Sequence, residues 1–278
     1  MEVANIRRKR DGRITIKAGS KAEALMVSTL MILAVLTMIG FLLFDYSGLE
    51  LKKAISETGN NLKTMFLEPA LTHFSWGEAI YQVGITVGLA FLATVLGAVI
   101  SIFLALFAAT NLSNEWVSKV IRIFVAVIRA VPTVLWVLIF AIAAGLGSEA
   151  AIIGMLFHSI AYLVKAYSEV FEEVDEGTLE ALRATGSNWW HIVMHGVIPS
   201  TLTYLMSWTF LRFEINFSVA VAMGAAAGAG GIGFELFMAS GFYFDLREVG
   251  MITYAILVVA IILEIISTRL KNRYFPSQ

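Results

Sequence analysis

Glu180 to Pro199, EALRATGSNWWHIVMHGVIP, is a short polar island between strongly apolar segments, and it reads as helix, break, helix. Thr178 or Asp175 stands where a side-chain oxygen can cap the first helix by accepting from its free N–H groups. Gly186 can stop that helix, because glycine enters the left-handed conformation a helix end requires without a steric cost. Pro199 is placed to begin a following membrane helix, where its missing N–H is not needed. Leu179, Leu182, Arg183 and Gly186 follow the i, i+3, i+4, i+7 rule and share one face. A compact, semi-apolar helix displayed at the aqueous surface of a membrane protein offers a partner something to hold.

The surroundings are those of a membrane protein. Hydrophobic residues make up 58% of the 278-residue chain and charged residues 15%, with a mean hydropathy of +0.79. A soluble domain carries about 25% charged residues. The net charge of -1 by itself says nothing about nucleic acid, for which no role is expected, and the absence of cysteine excludes disulfides, thiolate catalysis and cysteine metal sites. A span needs roughly 20 apolar residues, and six segments qualify: about 24–44, 79–109, 121–144, 150–170, 197–223 and 249–268. The first is longer than a signal core and ends in GFLLFDYSG without a small-x-small cleavage site, which favours an uncleaved span.

Basic residues set the orientation. Arg7, Arg8, Lys9, Arg10, Arg13, Lys17 and Lys21 precede the first span, and Arg269, Lys271 and Arg273 follow the last. Six spans return both termini to one side, so both are expected in the cytoplasm, with the Glu180–Pro199 island beside them. Residues 45–76 then form an extracytoplasmic loop. The expected organisation is 1–78 as N-terminus, first span and loop, and 79–273 as a core with the polar loop at 176–199.

The polar island resembles the EAA motif of ABC importer permeases: Glu180, Ala181, Gly186 and Pro199 fall at the family's spacing. Leu182 replaces the second alanine, Gly196 stands where isoleucine is usual, and Ile198 replaces a leucine. A second stretch, Leu211 to Leu236, is similar to phosphonate-type importer permeases, in which an RFE-x-N element leads into GAGGIG. Arg212, Phe213, Glu214 and Asn216 match, as do Gly228 through Gly233. The family often has an arginine after that asparagine; here Phe217 and Ser218 follow.

Gly228, Gly230, Gly231 and Gly233 also satisfy the dinucleotide fingerprint G-x-G-x-x-G, but a membrane helix precedes them where that fingerprint requires a strand. A flexible or re-entrant link between the last two spans accounts for them better, because glycines let backbones turn sharply and approach closely. Arg212 and Asn216, at i and i+4, share a face; they either line a pathway for an oxyanion or belong to structural pairs, with Glu264 as a partner for Arg212. Arg129, followed by Pro132, marks either a kinked gate or a plain structural kink. His191 and His195 have helical metal-pair spacing without a third ligand, so no metal site is expected. His158 and Lys165 lie inside a span as pathway or packing residues.

The resemblance implies an all-α integral membrane protein of six transmembrane helices, like the type I ABC importer permeases, with a cytoplasmic coupling helix formed by Thr178, Leu179, Glu180, Ala181, Leu182, Arg183 and Gly186. It implies a homodimer in the inner membrane of a prokaryote, two cytoplasmic ATPase subunits and an extracytoplasmic binding protein. The solute would be phosphonate or a related phosphorus oxyanion, with methionine or another small solute as the alternative. A stand-alone ion-coupled transporter is disfavoured because no inverted repeat is visible. No GxxxxGK[ST] sequence occurs, so ATP and Mg would be used by the partner ATPase, with no cofactor and no catalysis in this chain.

Overall fold

The computed structural model describes residues 6–8, 14–16, 21–45, 48 and 50–274. Lys9, Arg10, Arg13 and Lys17, on which the expected side of the N-terminus partly rests, lie outside them. Two three-residue strands, β1 (Ile6–Arg8) and β2 (Ile14–Ile16), pair antiparallel with Ile6 opposite Ile16. All other elements are helical. The chain divides into two compact units, 1–57 and 58–278.

In the first unit, α1 (Lys21–Leu43) buries none of its residues, as expected for a helix whose apolar surface is solvated by lipid tails. The boundary falls inside α2 (Leu51–Leu67), a helix within what the sequence presents as a loop.

The second unit is built on three long helices. α3 (Trp76–Ala108) starts at a capping box, in which the Glu78 N–H donates to Ser75 Oγ and the Ser75 N–H to Glu78 Oε2. At 1.5 Å per residue it is about 50 Å long, enough to cross a bilayer and protrude. α6 (Ser148–Glu172) and α9 (Ile198–Ala227) pack against it through Ala90, Ala93, Ala151, Met155, Phe217 and Ala220. The small residues let backbones approach, which is how helices associate where lipid is as apolar as leucine. The remaining helices are α4 (Glu115–Ala130), α5 (Thr133–Ala144), α7 (Glu176–Ala184), α8 (Trp189–Ile192), α10 (Ile232–Gly241) and α11 (Leu246–Tyr274).

Among the described residues, five helical segments are long and apolar enough to cross a membrane, and a bent pair, taken as one span, makes a sixth. That pair covers the expected span over 121–144 and its expected kink at Pro132: α4 and α5 meet at 87° across Val131 and Pro132. Proline lacks the N–H that would continue the ladder, and its ring collides with the carbonyl four residues back. The Ile128 carbonyl instead accepts from the Val131 N–H at 3.3 Å and from Trp136 Nε1 at 3.0 Å.

Pro199 stands in the first turn of α9, as expected, and the helical path runs into it from α8. Asn188 caps α8 by accepting from the His191 N–H at 2.9 Å. Val193–Val197 then form a π turn, in which the Ile198 N–H donates to the Val193 carbonyl, and α9 continues through Pro199. The wider turn absorbs the proline without a break.

Candidate functional site

α7 is held on one side and free on the other. Of the two expected caps, Asp175 is the one used: its Oδ2 accepts from the Thr178 N–H at 2.9 Å and from Thr178 Oγ1 at 3.1 Å. At the other end Gly186 has φ +79°. Its N–H donates to the Arg183 carbonyl at 3.0 Å, and the Ser187 N–H to the Leu182 carbonyl at 3.4 Å. This paired pattern closes a helix with a left-handed residue.

Leu179, 1% exposed, sits in a core with Leu106, Tyr167, Phe171, Ile192 and Val197, and Leu182 packs against its edge. Burying one leucine contributes about 1.5–3 kcal/mol, enough to anchor a nine-residue helix that would not form alone. Nη2 of Arg183 donates to the Asn111 carbonyl at 3.1 Å, and Trp189 Nε1 to the Leu112 carbonyl at 2.8 Å. Leu179, Leu182 and Arg183 therefore hold α7 to the bundle. Glu176, Thr178, Glu180, Ala181 and Ala184 are exposed.

Around this anchor the ends of three helices are tied together. Glu172 Oε1 accepts from the Thr110 N–H at 2.7 Å, from Thr110 Oγ1 at 2.6 Å and from Arg122, whose Nε also donates to the Ala108 carbonyl. Asn111 Nδ2 donates to the Phe171 carbonyl at 2.8 Å. These bonds join the end of α3, Arg122 of α4 and the end of α6 beside α7.

Arg212 and Asn216 are buried, 2% and 0% exposed, near the middle of α9. Arg212 Nε donates to Ser159 Oγ at 3.0 Å; Asn216 Nδ2 donates to the same oxygen at 2.8 Å and to Thr94 Oγ1 at 2.8 Å. The guanidinium lies 5.2 Å from the centre of the Tyr162 ring. The pairing considered between Arg212 and Glu264 is not formed: Glu264 approaches Glu214 and Thr268. An arginine at the centre of a bilayer costs about 2.5–3.5 kcal/mol, and here its neighbours are the Ser159 hydroxyl and the Tyr162 ring.

The glycine run is more ordered than a flexible link. Gly228, Gly230 and Gly231 take φ of +61°, +74° and +76° and turn the chain back, so that α10 lies on α9. A Cβ on Gly233 would stand 1.8 Å from the Val221 carbonyl oxygen, so no side chain fits there. Gln82 Oε1 accepts from the Gly231 N–H at 3.1 Å, and Thr86 Oγ1 from the Ile232 N–H at 2.9 Å. The donors that would hold a dinucleotide's phosphates are already used by α3.

His191 and His195 stack with ring centres 5.7 Å apart near the start of α9. A group that the sequence did not bring together lies at the other end of α3. His73 Nδ1 is 2.7 Å from Glu248 Oε2, Glu248 Oε1 accepts the N–H groups of Thr72 and His73, and Asp245 lies within 4.8 Å. Glu248 is 0% exposed, and its partners stand about 175 positions away, beyond any local signal. Asp245 caps α11, and that spacing alone was legible.

Several cavities open on the second unit, and three of them lie among its long helices. One of about 530 Å³ is acidic, with Glu169, Glu173, Glu214 and Glu264 in its wall. One of about 200 Å³ carries Arg122, Arg129 and Lys165. The third, about 420 Å³, lies between Thr133 and Val134 of α5 and Ile215 and Ser218 of α9.

Comparison with known proteins places these features in context. Residues 97–276 match the family described as the binding-protein-dependent transport system inner membrane component. The phosphate-import permease protein PhnE of Mycolicibacterium smegmatis is 31% identical over 193 residues, covering 68% of this chain. The chain spans 35% of that relative's length. The phosphite transport system permease protein PtxC of Stutzerimonas stutzeri is 31% identical over 190 residues, 68% of each chain. In fold, the inward-facing MetNI methionine ABC transporter has a TM-score of 0.66 at 17% identity, covering 74% of this chain and all of that one.

Proposed function

Because the chain belongs to the family of binding-protein-dependent transport system inner membrane components, we propose that it is the membrane-spanning permease subunit of an ATP-driven importer for a phosphorus oxyanion. The observation that carries the reading is the two-sided α7, with Leu179, Leu182 and Arg183 fastened to the bundle and Glu180 and Ala181 presented outward. Relatives whose names specify phosphate and phosphite support the solute class.

In this reading the chain acts as a homodimer with both termini in the cytoplasm. Two ATPase subunits dock on the exposed face of α7, and an extracytoplasmic protein delivers the solute. ATP and Mg belong to the ATPases, and this chain performs no chemistry. Closure of the ATPases pushes α7 as a rigid lever, and the ties at Glu172, Asn111 and Leu112 pass that push to α3, α4 and α6. The solute and the nucleotide act by differential contacts with inward-open and outward-open states.

Purification from the native membrane supplies the test. The permease brings an ATPase with it, and the complex in vesicles takes up phosphate, phosphite or a phosphonate when the loaded binding protein is added. A chain that moves solute with no ATPase attached, or an Ala181→Cys thiol that crosslinks to nothing on the ATPase, refutes the proposal.

A further inference from the structure

The helix that the sequence hides in a loop, α2, is two-faced. Leu51, Ile55, Leu62, Met65 and Phe66, with Thr58 between them, fall within an arc of about 100° on a helix of 3.6 residues per turn. Lys53, Ser56, Glu57 and Asn60 take the opposite side, and Lys52 and Lys63 stand at one edge of the stripe. None of the helix's residues is buried. Leu51 and Ile55 are each 67% exposed and Leu62 49%, so the described residues leave the stripe open. Water is a poor solvent for a row of apolar side chains of this length.

The attachment of α2 to α11 fixes the depth of its last turn. Between Glu248 and Arg269, α11 carries no charge except Glu264. At 1.5 Å per residue that stretch is about 30 Å long, the thickness of a hydrocarbon core. Its outer rim therefore falls near Gly250, at the end of the bundle where α3 starts and opposite α7. Tyr254 Oη donates to the Phe66 carbonyl at 2.7 Å, and the two rings meet edge to face at 6.2 Å. The Met65 carbonyl lies so close to Gly250 that no Cβ fits there. Beyond the rim, Arg247 Nε donates to the Glu68 carbonyl at 2.9 Å, and the Ala70 N–H to the Arg247 carbonyl at 3.2 Å. The last turn of α2 is thus fastened at the boundary between acyl chains and headgroups.

We propose that α2 lies along the membrane surface in the headgroup layer opposite α7, with Leu51, Ile55, Leu62 and Phe66 turned toward the acyl chains. The stripe then continues the lipid-facing surface that α11 presents through Leu257, Val258 and Ile261. In the sequence α2 follows α1, a helix whose apolar surface is itself solvated by lipid. Lys52 and Lys63, at the edge of the stripe, extend their stems along it and place their ammonium groups among lipid phosphates. Tyr254, with an apolar ring and a polar tip, suits the same depth. Through Met65 and Phe66 the helix ties the outer end of α11 to the surface of the bilayer.

The full chain in vesicles of phosphatidylethanolamine and phosphatidylglycerol tests this. It has no cysteine, so Ile55→Cys, Leu62→Cys and Asn60→Cys each carry one fluorescent label, two on the stripe and one opposite it. A nitroxide on the lipid close to the headgroup should quench the labels at Ile55 and Leu62 several-fold more than aqueous iodide does, with the order reversed at Asn60. Leu51→Asp together with Ile55→Asp should cost the Leu62 label most of its lipid quenching. Equal quenching of all three labels by iodide puts the stripe in water and overturns the interfacial position. Strongest quenching by a nitroxide at the acyl-chain ends puts α2 inside the hydrocarbon core and overturns it as well. Labels at Ile55 and Leu62 that neither quencher reaches reveal a protein cover, as does a disulfide between two Ile55→Cys copies or shielding that appears only with the binding protein; each of these is contrary. Unchanged lipid quenching in the double aspartate variant removes the stripe as the cause. The readout requires neither ATPase nor solute, so it stands or falls apart from the function proposed above.

Discussion

Leu182 Cδ1 lies 2.6 Å from the point at which a Cβ on Gly196 would stand. These are two positions at which the chain departs from the importer pattern, and the structure shows that they compensate. The larger Leu182 on α7 occupies the space that Gly196 leaves in the π turn. Leu182→Ala should destabilise the protein by about 1–3 kcal/mol, below the range for fully buried leucines because this one is half-buried. Gly196→Ile should cost about 1–3 kcal/mol by overpacking. The double substitution should cost at least about 1 kcal/mol less than the sum, as contacting residues do in a double-mutant cycle. Thermal unfolding of the four detergent-solubilised proteins measures this, and strict additivity would refute the pairing.

Gly186 gives a prediction of a different kind, since no atom lies within 4 Å of where its Cβ would be. Any penalty for a side chain there is conformational, about 1–2 kcal/mol for a left-handed residue. Gly186→Leu is therefore predicted to loosen the end of α7 and to leave ATP hydrolysis running with reduced uptake, while Gly186→Asn is tolerated. Paired ATPase and uptake measurements in vesicles decide it; unchanged uptake by the leucine variant sinks the prediction.

Ser159 Oγ serves Arg212 and Asn216 at once while donating to the Met155 carbonyl at 2.7 Å. Ser159→Ala removes the acceptor of Arg212 Nε and leaves Asn216 with Thr94, a loss expected to cost about 1–3 kcal/mol. Ser207→Ala, at a hydroxyl that bonds its own helix at Thr203, should stay within about 0.5 kcal/mol of wild type. Equal melting temperatures for the two variants would show that the buried network contributes nothing.

Asp245 sets a pH dependence. Burial by itself would raise its pKa, but bonds from Thr72 and from the backbone N–H groups of Glu248 and Arg247, with His73 nearby, hold it below the ordinary 3.8. A carboxylate whose folded pKa is depressed contributes stability above its unfolded value and loses it as pH falls through the folded one. Wild type should exceed Asp245→Asn in melting temperature near neutral pH, and the difference should close below about pH 4. A difference that persists at pH 2 contradicts this account.

Legibility in the sequence followed range. The ends of α7 were readable because Asp175, Thr178 and Gly186 act within one turn of chain. The break at Pro132 was readable as a kink, but its 87° was not, because the angle depends on how α4 and α5 each find a place against α6 and α9. Pro199 was readable as the first turn of α9 but the π turn leading into it was not, because a proline signals that a ladder bond is missing and not what absorbs the loss.

The sequence by itself determined that this chain lies in a membrane, where its spans fall, and which short helix carries the importer signature, since hydropathy and capping are properties of neighbouring residues. Tertiary structure alone decided that Arg212 meets Ser159 and Tyr162 instead of Glu264, that Leu182 fills the place of a Gly196 side chain, and that Glu248 closes on Thr72 and His73. Those pairings depend on the rotation and depth of whole helices, which small-residue packing across the bundle sets and no local stretch encodes.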